Sequence, residues 1–377
     1  VTIVNGVVIC RDFGEQTVLG LPVGLRAALS LQSAGVARVV LLGLEALPAW
    51  AVDARLKVPV ELDAGWPAGG ALVVADGAVV DPRAMKALGA AGGEQRVREG
   101  LEWVCVRTDR AGSLGDAMER GAACFHHGVA LFARTREERD RAERALLASL
   151  RKPQDGWVSR AMNRRISLAI TRVLARTAIT PNQLSAAILG VGLASGACAA
   201  LGGRVGLAVG AVLFQAQSVL DGCDGELSRV TFRGSKAGEW LDTVGDDVTN
   251  YAFFAGASLG LRALGAPAWV WGAGLAGVAV GVVASAIEYR YLLSIGSGDL
   301  LKYPLGFGED PERPAEPTVI QRVLGAARPM FKRDFFAFAT MVAALAGPGP
   351  LGAALVLFAV GAGATLCAVI ASEVRRA

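Results

Sequence analysis

Histidine is nearly missing from this chain: 377 residues hold two, His126 and His127, side by side. With no acid and serine nucleophile pattern nearby, the pair is expected to be structural rather than catalytic. Cysteine is sparse too. Cys10, Cys105, Cys124, Cys198, Cys223 and Cys367 are scattered without a CxxC spacing, which argues against a disulfide framework and for free thiols in a reducing compartment. The net charge is only +4, so nothing marks a nucleic-acid partner. The first nineteen residues carry Arg11, Asp12 and Glu15, and no signal peptide is read there.

What is abundant is apolar: 53% of residues are hydrophobic and mean hydropathy is +0.43. The distribution matters more than the mean. Residues 1–150 mix charges throughout, whereas most long apolar runs come after residue 182. A soluble head followed by a membrane body is expected.

The head alternates strand and helix. Val1–Val4 is a short β-branched run, residues 22–35 have helical periodicity, and residues 36–42 and 71–75 read as buried strands. A helix near 82–88 and a strand at 103–107 follow. An α/β three-layer, Rossmann-like domain with a mostly parallel sheet is predicted for residues 1–152. Lys152-Pro153-Gln-Asp-Gly156 punctuates the chain as a boundary. Arg160, Arg164, Arg165, Arg172 and Arg176 then alternate with Ile166, Leu168, Ile170, Val173 and Leu174. This basic amphipathic helix, within 153–179, is expected to lie among lipid headgroups.

The body, 180–377, is predicted as an all-α six-helix transmembrane bundle. Its spans are read at roughly 183–201, 205–224, 239–262, 267–288, 333–347 and 350–371. Positive residues gather on one side: the Arg-rich helix, Arg229, Arg233, Lys236 and Arg375-Arg376. By the positive-inside rule both termini face the cytoplasm. The connection 296–332 carries Gly306, Gly308, Pro311, Pro314 and Pro317 and reads as irregular, with a short helix at 319–328.

The most informative stretch runs from Asp221 to Asp246. It reads Asp221-Gly-Cys-Asp224-Gly225-Glu-Leu-Ser228-Arg229, then eight residues, then Gly238-Glu-Trp-Leu-Asp242-Thr-Val-Gly-Asp246. On helices, spacings of three and four place each pair of carboxylates on one face. Four acids at the ends of apolar helices would repel one another unless cations sat between them. Hard oxygen donors without Cys or His point to Mg²⁺ or Mn²⁺, two ions for four carboxylates. Asp247 points off this face.

These residues resemble the CDP-alcohol phosphotransferase family, whose pattern D-x2-D-G-x2-A-R-x8-G-x3-D-x3-D they match at every spacing; only Ser228 departs, standing for alanine. The resemblance covers about residue 155 onward and includes Thr180-Pro181-Asn182 before the first span. It implies metal-dependent transfer of a substituted phosphate from a CDP-alcohol to an alcohol acceptor, with release of CMP, at the cytoplasmic face of the cell inner membrane. Asp221, Asp224, Asp242 and Asp246 would be metal ligands, with Asp246 also the base. Asn182, Gly225, Ser228, Arg229 and Gly238 would bind the CDP-alcohol. Arg290 is the first candidate for the acceptor's phosphate, followed by Lys236, Lys302 and Arg333. A homodimer is expected by analogy alone.

The head in turn resembles nucleotidyltransferases over residues 21–42, and Val73-Val-Ala-Asp76-Gly is similar to the strand whose terminal Asp holds a metal there. Asp76 as a plain strand-end residue is the alternative. The glycine-rich phosphate cradle is missing, replaced by Cys10-Arg-Asp-Phe-Gly-Glu15. An inactive head is therefore expected. The other possibility is a bifunctional enzyme, similar to those making CDP-inositol and then di-myo-inositol phosphate phosphate. The donor would be CDP-inositol or CDP-diacylglycerol, and the acceptor an inositol phosphate. A cation-coupled transporter, a different class, would spread its acids over several spans.

Overall fold

The computed structural model describes residues 5–62, 66–109, 118–119, 121–124, 128–151, 155–201, 203–304 and 333–376. Val1–Val4, the His pair, Lys152–Gln154 and the helix expected at 319–328 lie outside them. The chain divides into two compact units, one of Val1–Lys152 with Arg172–Ala178 and Arg229–Arg233, the other of Pro153–Thr171, Ile179–Ser228 and Gly234–Ala377.

In the first unit, β1 (Asn5–Ile9), the two-residue strands β2 (Thr17–Val18) and β3 (Leu21–Pro22), α1 (Val23–Ser33) and β4 (Arg38–Leu42) come first. They are followed by β5 (Val60–Leu62), β6 (Ala71–Val74), β7 (Ala78–Val80), α2 (Pro82–Ala90), β8 (Gln95–Glu99) and β9 (Glu102–Thr108). β10 (Ala122–Ala123), β11 (Ala130–Phe132) and α3 (Arg136–Ser149) complete it. The main sheet runs β10-β8-β9-β6-β1-β4-β5. β1 is parallel to β4 and β6, and β4 to β5, while β9 is antiparallel to β6 and β8. Residues alternate between faces with the strand period of two. Val8, Val39, Leu41, Leu72 and Val74 join Leu25, Leu29, Met85 and Leu88 of α1 and α2 in one core. On the other face Val7, Ala71, Val73 and Val106 form a small cluster with Trp66 and Trp103. Of the three expected layers, the described residues thus show a sheet and one clear helical layer. Local signals set the helix starts: Asp81 accepts the Ala84 N–H before α2, and Thr135 and Glu138 form a capping box before α3.

The second unit is helical. A π-turn at Ser159–Asn163 leads into α4 (Arg164–Leu174), whose residues from Arg172 on belong to the first unit, and then come α5 (Pro181–Ala200), α6 (Gly203–Thr231) and α7 (Lys236–Ala263). α8 (Ala268–Ile295), α9 (Arg333–Ala346) and α10 (Pro348–Arg376) follow. Thr180 and Gln183 cap α5 reciprocally, with Pro181 at its first position. Among the described residues, four helices, α5, α6, α8 and α10, are long and apolar enough to cross a membrane, against the six spans expected. Charge accounts for α7, whose first half carries Lys236, Glu239, Asp242, Asp246 and Asp247.

Small residues, rather than bulk, bring α5 and α7 together. A Cβ at Gly256 would lie 2.1 Å from the Gly196 carbonyl oxygen, and one at Gly260 would lie 2.2 Å from that of Ala199. Lipid tails are as apolar as leucine, so close backbone packing of this kind is what holds helices together in a membrane. Phe214, Phe253 and Phe254 fill the space beside this seam, with Phe214 stacked on Phe253 at 4.4 Å. The same seam fixes the rotation of α7, and hence where its acids point.

Candidate active site

Asp221 and Asp224 sit on α6, and Asp242 and Asp246 on α7. One carboxylate oxygen from each of Asp221, Asp242 and Asp246 falls within a common 4.8 Å. Three like charges at that spacing are costly, and the described residues bring a cation to them. Arg333, at the start of α9, places its guanidinium 2.5 Å from Asp246 and 3.3 Å from Asp221. It also donates to Gln217 at 2.8 Å and to Asn250 at 3.3 Å. Its planar fork is therefore held by α6 and α7 at once.

Asp224 behaves differently from its three partners. It is buried, accepts the Ser185 hydroxyl at 2.5 Å and its own following Gly225 N–H at 2.5 Å, and lies outside the converged trio. It still borders the same small cavity as Asp221, Asp242 and Asp246. Gly238 approaches Asn182 closely: a Cβ there would sit 2.7 Å from Asn182 Oδ1. Gly225 and Ser228 are half-buried on α6, and Arg229 is exposed in its last turn. Asp247 turns towards α8, accepting Ser285 Oγ at 2.5 Å and Tyr289 Oη at 2.7 Å.

Of the four candidate acceptor cations, Arg333 is the one placed against the acids. Arg290 borders a separate cavity with Tyr291 and Ile370. Lys302 donates to Ser297 Oγ at 2.9 Å, and Lys236 is exposed at the first position of α7.

A second cavity of about 270 Å³ opens beside the acids, bordered by Asp221, Asp246, Arg333, Asn163 and Arg164. Sequence reasoning missed how Arg164 is used. Among the described residues, four of the five arginines in 157–177 have half-buried or exposed side chains, but Arg164 is buried. It donates to Asp155 at 2.9 Å and to Glu226 at 2.6 Å. Glu226 is fully buried and also accepts Ser167 Oγ and Thr171 Oγ1 at 2.8 and 2.7 Å. Burial would lower the Arg164 pKa, but these carboxylate bonds outweigh it and hold it above its ordinary value. Within this basic helix one arginine is turned inward to a buried acid. Glu226 stands at an unspecified position of the motif, and only the pairing across helices gives it away. Trp157, Ile166 and Val173 remain exposed, as a membrane-surface helix requires.

The head shows the opposite use of an acid. Asp76 lies two residues past β6 and accepts the backbone N–H groups of Asp12 at 3.0 Å and Phe13 at 3.4 Å. The loop of residues 10–15 is thereby tied to the residue expected to hold a metal. Phe13 and Arg134 close over Gly77, where a Cβ would meet Arg134 Cγ at 2.6 Å.

The body's trio offers oxygen acceptors only, from two helices, with a guanidinium already drawn among them. That donor set fits a hard divalent cation such as Mg²⁺ or Mn²⁺.

Residues 178–305, which include all four acids, match the model of the family described as CDP-alcohol phosphatidyltransferase, about a third of the chain. Among curated proteins, the chain is similar to a bifunctional IPC transferase and DIPP synthase from Thermococcus kodakarensis, 36% identical over 168 residues, 44% of this chain and 37% of that one. A protein of the same description from Aquifex aeolicus is 35% identical over 136 residues, 36% of this chain and 30% of that one. The match thus spans about a third of the length of these relatives. A solved structure of phosphatidylinositol phosphate synthase from Mycobacterium tuberculosis, with manganese and citrate, aligns with 55% of this chain and 88% of that one, at 19% identity and a TM-score of 0.40.

Proposed function

We propose that this protein is an integral-membrane CDP-alcohol phosphotransferase with its site on the cytoplasmic side. The observation that carries this is the convergence of Asp221, Asp242 and Asp246 within 4.8 Å beside a polar cavity. Two divalent ions held by these residues with Asp224 would neutralise the donor's diphosphate as its P–O bond breaks. Asp246 accepts the proton of the acceptor hydroxyl, whose oxygen bonds to the β-phosphorus while CMP departs with the bridging oxygen. Gly238 and Asn182 form the close approach beside which the CDP moiety binds, together with Gly225, Ser228 and Arg229. Arg333, at the edge of the cavity, orients an anionic acceptor through its fork. The motif resemblance supports an inositol phosphate as acceptor, and CDP-inositol or CDP-diacylglycerol as donor. The head, with Asp76 committed to backbone N–H groups, has a nucleotidyltransferase-like fold without that activity.

The test supplies purified protein with CDP-inositol or CDP-diacylglycerol, inositol phosphate and Mg²⁺ or Mn²⁺. CMP release that requires the acceptor is expected. Inactivity with every donor and acceptor pair would contradict the reading, and CDP-inositol made from CTP by the head would overturn the statement about the head.

A further inference from the structure

Arg290 is exposed on α8 and has no hydrogen-bond or ion-pair partner among the described residues, although it borders a cavity of about 570 Å³. The cavity lies between the ends of α8 and α10. Ile287, Ile370 and Val374 give it apolar walls, and Tyr291, Ser294 and Glu373 give it a polar side. The one acid there is already committed: Glu373 accepts from Arg376 at 2.5 Å and from Tyr303 Oη at 2.8 Å. Arg376 is itself fixed between two rings, 4.6 Å from that of Tyr291 and 4.9 Å from that of Tyr303. Arg290 is thus a cation left over at an otherwise ordered rim.

Depth in the membrane follows from length. α8 has 28 residues and α10 has 29, each rising about 42 Å or more at 1.5 Å per residue, against an apolar core of about 30 Å. The last turns of both helices therefore reach headgroup level. An arginine on a bare helix surface would simply snorkel to solvent. Here it flanks a cavity with an apolar floor, which suits a molecule with one anionic end and one apolar end.

We propose that the groove between α8 and α10 binds an anionic phospholipid, its phosphate on Arg290 and an acyl chain along Ile287, Ile370 and Val374. This site is separate from the cavities beside the acids, with which it shares no lining residue, and it does not depend on the transfer reaction proposed above. The guanidinium would donate charge-assisted hydrogen bonds to the phosphate oxygens, and Arg376 would keep Glu373 from repelling it.

The experiment titrates the full chain, in a non-ionic detergent, with short-chain phosphatidylglycerol, short-chain phosphatidylcholine or inorganic phosphate, and counts bound molecules by native mass spectrometry. Phosphatidylglycerol is expected to bind at least about tenfold tighter than phosphatidylcholine, and phosphate alone not at all in the same range. Arg290→Ala should weaken phosphatidylglycerol about tenfold, Arg290→Lys should retain most of the affinity, and Ile370→Trp, which fills the floor, should weaken it too. Equal affinity of wild type and Arg290→Ala overturns the proposal, as does equal binding of the two lipids or of phosphate alone. So does a lipid-independent dimer that Ile370→Trp dissociates, since the groove would then be covered by a second copy. Should Arg290→Ala fail to fold, the Lys and Trp variants decide the matter by the same readings.

Discussion

Asp76 in the head and Asp246 in the body are the same side chain put to opposite use. Asp76 accepts two backbone N–H groups and so ties a loop to the sheet. Asp246 faces Asp221 and Asp242 within 4.8 Å, and among the described residues its charge is met by a guanidinium brought from α9. A carboxylate that accepts backbone donors stabilises a loop. Carboxylates crowded together in an apolar helical body cost stability, and such ionisable residues are kept where they do chemistry.

The sharpest way to break the comparison is to neutralise one acid from each side. Asp246→Asn should reduce CMP release by about a thousandfold, combining loss of a base with loss of a ligand; a reduction below tenfold would deny it that role. Asp76→Asn should change CMP release by less than about twofold.

The pairs next to the site come second. Glu226→Ala leaves Arg164 buried with only Asp155, and should cost about 3 kcal/mol or more. Thermal unfolding of the body, followed by helical circular dichroism, checks this, and Arg164→Met combined with Glu226→Leu should recover much of the loss. An unchanged midpoint in Glu226→Ala would show that the buried pair is not holding α4 to α6.

These first tests also show what could be read from residues alone. Spacings of three and four within 221–246 made the paired acids legible, because a helix converts spacing directly into a shared face. Asp224 was legible as a neighbour but not as an acid turned to Ser185, since Ser185 lies 39 positions away. Arg333 is 87 residues from Asp246, so no local pattern joins them. Glu226 was hidden for the same reason, as its partners come from α4. In the head, Asp81 and Thr135 marked their helices plainly, whereas Asp76 was ambiguous because its partners belong to a loop 64 residues earlier. Of the spans read from the sequence, α7 is the one whose apolar stretch adjoins a charged first half.

Smaller effects are expected within the head. Asp76→Ala should destabilise it by about 1–3 kcal/mol, the cost of leaving two N–H groups without their acceptor, and denaturant unfolding of the full chain monitored at head tryptophans measures it. Glu143 gives a pH test. Burial alone would raise its pKa, but hydrogen bonds from Arg176, the Leu19 N–H and Arg172 hold it below the ordinary carboxylate value. Its contribution is therefore present above about pH 4.5, where it is ionised in both states, and is lost as pH falls through the depressed folded value. Glu143→Gln should lower stability at pH 7 by about 1 kcal/mol, the arginines being partly exposed, and flatten the acid limb. An unchanged acid limb would show that another carboxylate sets it.

Titration of the full chain with Mn²⁺, read by electron paramagnetic resonance in the absence of any substrate, tests the central contrast most directly. Saturable binding is expected in the wild type, unchanged in Asp76→Asn and weakened at least about tenfold in Asp221→Asn and in Asp242→Asn. Binding that survives in both body variants and disappears with Asp76→Asn would place the metal in the head and contradict the account.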